Sequence, residues 1–140
     1  MIKKISVFVS ICFISILLVG CGGKSFKDNI EGKTFKYTVE DSGTTSAYGE
    51  IKTSHTLIFY KDGKGTSKID IDFTGAMKEY AEKNISYDNR HSQEDFTYTL
   101  DEDKKTVSFK TGEGKYSYNL KYDEDSNCLI DTDSEKTKYC

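Results

Sequence analysis

The chain has 140 residues, 36% hydrophobic and 31% charged, with eight Phe, ten Tyr, no Pro and no Trp. That is room for one modest domain and not two, and the aromatic content supplies the apolar area that disordered chains lack. A formal net charge of −3 argues against nucleic acid as a partner.

Met1-Ile2-Lys3-Lys4 is a short basic start, and Ile5 to Val19 is an uncharged run whose only polar side chains are Ser6, Ser10 and Ser15. This is the outline of a secretory signal peptide. The run is about fifteen residues long, short of the roughly 20 that cross a bilayer as a helix. It ends Leu18-Val19-Gly20-Cys21, which resembles the bacterial lipobox. The resemblance implies cleavage after residue 20 and a diacylglyceryl group on Cys21, which becomes the new N-terminus. Two acyl chains hold firmly where one is reversible, because each buried methylene contributes about 0.8 kcal/mol. The expected localisation is the cell membrane, lipid-anchored, on the extracytoplasmic side. Without residues 1–20 the chain loses Lys3 and Lys4 and no acids, so 18 basic residues face 23 acidic ones, a net charge of −5.

Residues 21–29 are small and polar without periodicity and are expected to form a flexible tether. Residues 30–140 carry the domain. Phe35, Tyr37 and Val39 alternate with Thr34, Lys36 and Thr38, and the strand His55 to Tyr60 is followed by the turn Lys61-Asp62-Gly63-Lys64-Gly65. Ile69, Ile71 and Phe73 alternate with Lys68, Asp70 and Asp72. Met77, Tyr80 and Ala81 then take helical spacing, which predicts one helix over 75–84 with His91 in its trailing loop. Period-two alternation returns with Phe96, Tyr98 and Leu100, with Val107 and Phe109, and with Tyr116, Tyr118, Leu120 and Tyr122. One wet and one buried face per strand excludes a buried parallel sheet. Turn residues at 101–105, 111–115 and 123–127 join neighbours into antiparallel meanders. The fold class is mainly β, a small antiparallel up-and-down barrel or strongly bent meander sheet of about seven strands with one short helix.

Of the four cysteines, Cys12 leaves with the signal and Cys21 takes lipid, so Cys128 and Cys140 remain as a pair. Their midpoint is Ser134, inside the turn-forming Thr132-Asp133-Ser134-Glu135. A hairpin of 128–131 and 137–140 sets them opposite each other, at a cross-strand spacing that suits a disulfide.

Gly32-Lys33-Thr34-Phe35, then Leu57-Ile58-Phe59-Tyr60-Lys61-Asp62-Gly63-Lys64-Gly65, then the Tyr/Phe-rich meander ending Leu129-Ile130 and Tyr139-Cys140, resemble the small lipocalin-like lipoproteins of Gram-positive bacteria. The likeness is loose over 30–140, since the lipocalin Gly-x-Trp is met only by Gly32, with Phe35 one position late and no tryptophan. It implies a barrel with a ligand-binding interior.

Asp123-Glu124-Asp125-Ser126-Asn127 starts like a calcium loop but has Cys128 where glycine is needed and Ser134 where the bidentate glutamate belongs, so it reads as a solvated turn and no metal site is expected. His55 and His91 sit in no nucleophile elbow or zinc pattern, so no catalytic residue and no cofactor is expected. Tyr98, Tyr116, Tyr118 and Tyr122 lie on predicted inward faces and are the candidate ligand-binding residues, each an apolar body with a polar tip. The expected role is that of a non-enzymatic module binding a small amphipathic ligand or an envelope protein. The alternative is an envelope defence or inhibitor protein acting on a lytic enzyme or phage component, with 42–54 or 87–94 as its contact loop.

Overall fold

Eight antiparallel strands follow one another around a nearly closed barrel in a computed structural model that describes residues 23–41, 48–134 and 136–140. They are β1 (Thr34–Asp41), β2 (Ile51–Phe59), β3 (Lys64–Phe73), β4 (His91–Asp101), β5 (Thr106–Thr111), β6 (Tyr116–Asp123), β7 (Cys128–Asp131) and β8 (Lys138–Tyr139). The expected meander is therefore present, with eight strands where about seven were counted. The described helices are α1 (Phe26–Ile30), α2 (Gly75–Asn84) and α3 (Tyr87–Arg90). The signal segment and Cys21 lie outside the described residues.

The ends of the sheet meet at the last residue of the sequence. Lys36 N–H donates to Cys140 O at 3.0 Å, and Cys140 N–H donates back to Lys36 O at 3.0 Å. Since both polar groups of Cys140 face β1, its pairing with β7 is of the non-hydrogen-bonded kind, where Cα atoms approach to about 4.5 Å. The register Leu129↔Tyr139 and Ile130↔Lys138 sets Cys128 directly opposite. The two are bridged there with Cα atoms 4.4 Å apart, so the predicted hairpin and its disulfide stand at the seam that closes the barrel.

Strand parity makes the core. β5 buries Val107, Phe109 and Thr111 and exposes Ser108 and Lys110. Phe59, with no solvent exposure, stands on the axis and meets Phe35, Phe96, Tyr98 and Phe109 edge-on, with ring centroids 5.1 to 6.0 Å apart. Edge-to-face contacts set the positive rim of one ring against the negative face of the next, so the barrel is filled at this level. Gly65, paired with both Phe59 and Phe96, makes room for this cluster. A Cβ there would stand 2.4 Å from Phe96 ring carbons and 2.7 Å from Ile58 O. Gly65→Ala is expected to cost about 1–3 kcal/mol through overpacking, and a denaturant midpoint equal to the parent's would contradict this.

The expected tether is shorter than 21–29, because α1 belongs to the domain. Ser25 caps it in a reciprocal box with Asp28. Phe26 and Ile30, four residues apart on one face, are both buried, with Phe26 6.0 Å from the Tyr122 ring. α1 thus covers one end of the barrel, and Gly32 N–H donates to Phe59 O just beyond it at 2.8 Å. Two further expectations change. The helix over 75–84 forms within the predicted bounds and buries Ala81, but Tyr80 points into solvent. The supposed trailing loop is helical in α3, after which His91 opens β4 and its Nδ1 lies 2.9 Å from Asp70 Oδ1.

β4 changes partners along its length. Residues 91–97 pair with β3, whereas 98–101 pair with β5. The strand therefore leaves β5 toward the end remote from α1, and a split opens in the wall.

Candidate functional site

The split forms a cleft of about 450 Å³ at the mouth of the barrel, opposite α1. Its principal lining residues are Ser67 on β3, Ser92 and Glu94 on β4, Thr111 on β5, and Tyr116 and Tyr118 on β6. Register explains the gathering. Ser67 is paired with Glu94, and Ile69 with both His55 and Ser92, so these side chains share the inner face of neighbouring strands.

His55 lies beneath the cleft, buried on β2. Its Nδ1 is 2.9 Å from the Tyr139 hydroxyl and its Nε2 is 2.8 Å from Ser67 Oγ. A neutral imidazole donates from one nitrogen and accepts at the other, and a hydroxyl can do either, so both contacts are satisfied. Tyr139 and Tyr118 meet the imidazole edge-on at 5.3 and 5.7 Å. Ser67 and His55 are in contact as a nucleophile and base would be, but Nδ1 faces a phenol where a carboxylate orients the base in a triad. Ser67 is also only 4% exposed. The geometry is that of a locked polar layer between the aromatic core and the mouth.

Burial holds the His55 imidazole below its usual pKa, opposed by the charge of Glu94. Burial pushes the Tyr118 and Tyr139 phenols up. The unfolded chain protonates His55 near pH 6.5, so below that pH it binds more protons than the folded chain. The stability tied to His55 is complete above about pH 6.5 and declines as the pH falls through that value. Denaturant midpoints at pH 7.5 and 5.5 are expected to drop in the parent and to converge in His55→Gln, and an unchanged drop in the variant would contradict this.

Glu94 seals the back of the split. Its Oε2 accepts from Gly112 N–H, in the turn between β5 and β6, at 2.7 Å. Tyr118 stacks on Phe109 with centroids 4.8 Å apart and 10° between the planes. Lys115 Nζ lies 5.4 Å from the centroid of the Tyr116 ring.

The four candidate tyrosines separate. Tyr116 and Tyr118 line the cleft, but Tyr116, 54% exposed, stands at the rim and not inside. Tyr98 and Tyr122 are buried away from the mouth. Their hydroxyls donate to Tyr60 O and Asn127 Oδ1, so they fill the core and satisfy their polar tips at its edge. The proposed contact stretch 87–94 is helix and strand, and 51–54 is already β2, while 42–47 lie outside the described residues. His55, Ser67 and Thr111 were not among the candidates, and Glu94 entered only as the last residue of the contact stretch 87–94. His55 shares parity with Leu57 and Phe59, and Glu94 with Phe96 and Tyr98, and that is the signal that marks them as inward. Asp123 serves the turn it opens, accepting from Asp125 N–H and the Ser126 hydroxyl, and the Ser126 contact chiefly keeps its carboxyl below the usual range.

No protein-family model, no curated protein and no solved structure matches the chain.

Proposed function

We propose that the chain is a membrane-anchored extracytoplasmic lipoprotein, attached through a diacylglyceryl group on Cys21, whose lipocalin-like barrel is a non-enzymatic module that binds at its mouth. The observation that carries this reading is the position of the cleft at the end opposite α1. Five residue steps separate Cys21 from Phe26, a reach of at most about 18 Å. A lipid on Cys21 therefore keeps the α1 end against the bilayer and turns the cleft outward. The packed axis around Phe59 supports recognition at the rim and not carriage inside.

A second reading, an envelope defence or inhibitor protein that blocks a lytic enzyme or phage component, is favoured by Tyr80 and Tyr87. They are 61% and 67% exposed on α2 and α3, at the same end as the mouth. Large exposed aromatic side chains are typical anchors of protein contacts.

A photo-crosslinking residue placed at Ser92, in the cleft, and in a second strain at Thr99, on the outer face, tests the main reading in living cells. Adducts from position 92 that are absent from position 99 are expected. Identical adducts from both, or none from 92, would overturn recognition at the mouth.

A further inference from the structure

Recognition at the mouth can be narrowed to a ligand class, and this assignment rests on the binding role proposed above for the cleft. We infer that the cleft takes the head of an organic cation, a primary or quaternary ammonium group, between the Glu94 carboxylate and the rings of Tyr116 and Tyr118.

Glu94 faces the interior of the mouth by its register with Ser67. The Gly112 amide at 2.7 Å holds Oε2, so the half-buried carboxylate is fixed at the wall of the cleft. Glu94 is also the one formal charge among the described residues lining the cleft, which otherwise offers hydroxyl, amide and aromatic groups and the aliphatic Ile69. A carboxylate in an otherwise uncharged lining favours cations over anions.

Two phenol rings complete the arrangement. Stacking on Phe109 fixes Tyr118 in place. Tyr116 stands at the rim with the Lys115 ammonium 5.4 Å from its ring centroid, and a ligand cation would take that place or the opposite face of the ring. A carboxylate with aromatic faces is the combination that recognises ammonium heads. About 450 Å³ accommodates a head group with a short tail.

The test is an NMR titration of the full chain in polyoxyethylene detergent micelles, following the Gly112 and Tyr118 amides. The probes are choline, its neutral isostere 3,3-dimethylbutanol, glycerophosphocholine and a neutral disaccharide. Choline is expected to shift both amides saturably, with affinity at least roughly tenfold above that for dimethylbutanol. Glu94→Gln, which retains an acceptor for Gly112, is expected to weaken choline by a similar factor without altering the rest of the spectrum. Tyr116→Ala, at an exposed position, is expected to weaken it severalfold. Choline binding more tightly than glycerophosphocholine assigns a free cation, the reverse order a lipid head, and either supports the site. Equal affinity for choline and dimethylbutanol, or an unchanged affinity in Glu94→Gln, overturns it. A disaccharide that moves these amides where choline does not overturns the cation assignment and leaves the mouth as the binding surface. Silence from every probe overturns the assignment, while crosslinks from position 92 judge the broader reading separately.

Discussion

Removing the Cys128–Cys140 bridge, by reductant or by Cys140→Ser, is expected to cost about 3 kcal/mol. A bridge spanning 12 residues restricts the unfolded chain by roughly that amount. The effect has a specific location, because Cys140 is joined to β7 by its sulfur and to Lys36 of β1 by two backbone hydrogen bonds. Once the bridge is cut, β8 is a two-residue strand at a chain terminus, and such ends fray. Hydrogen exchange is therefore expected to speed at Lys36 and Tyr139 before it speeds in the β2–β3 pair, whose nine-residue register begins one strand away from the seam. Uniform acceleration across all strands, or no loss of stability, would contradict this account of closure.

Phe59→Ala is expected to cost about 3–5 kcal/mol, the range for removing a fully buried aromatic ring. Phe59 has no exposure and holds four other rings in edge-on contact. Its loss leaves a cavity on the axis that strands hydrogen-bonded on both sides cannot collapse to fill. Equilibrium denaturation would measure the loss. A cost below about 1 kcal/mol would mean that the centre of the barrel is loosely filled, and it would revive carriage of a ligand inside.

The parts of the fold that local chemistry decides could be read in advance. Alternation in Phe96, Tyr98 and Leu100 and in Val107 and Phe109 marks strands because a period of two buries one face, and the structure buries all but Leu100, which is half-buried, in one core. The pairing of Cys128 with Cys140 followed from the symmetry of a short hairpin about Ser134. What escaped depends on height and on distant partners. Tyr116 has the inward parity of Leu120 and Tyr122, yet it is exposed because the barrel ends below it. Ile69 likewise continues the inner face of β3 past the packed level. Nothing near His91 to Thr97 announces that β4 parts from β5 there, since the split is set by which strand each half pairs with. The Glu94 and His55 layer was hidden for the same reason, as its members come together only through register. α1 was available locally in Ser25-x-x-Asp28 and the Phe26–Ile30 spacing, but a neighbouring glycine pair made the segment resemble a spacer.

The outward orientation proposed for the mouth rests on the lipid proposed at Cys21, and metabolic labelling with an alkyne fatty acid tests that most directly. The account predicts a labelled protein whose membrane association and label both disappear in Cys21→Ala, and whose domain is accessible to protease added outside the cell. An unlabelled protein, or a Cys21→Ala variant that stays on the membrane as well as the parent, would contradict it.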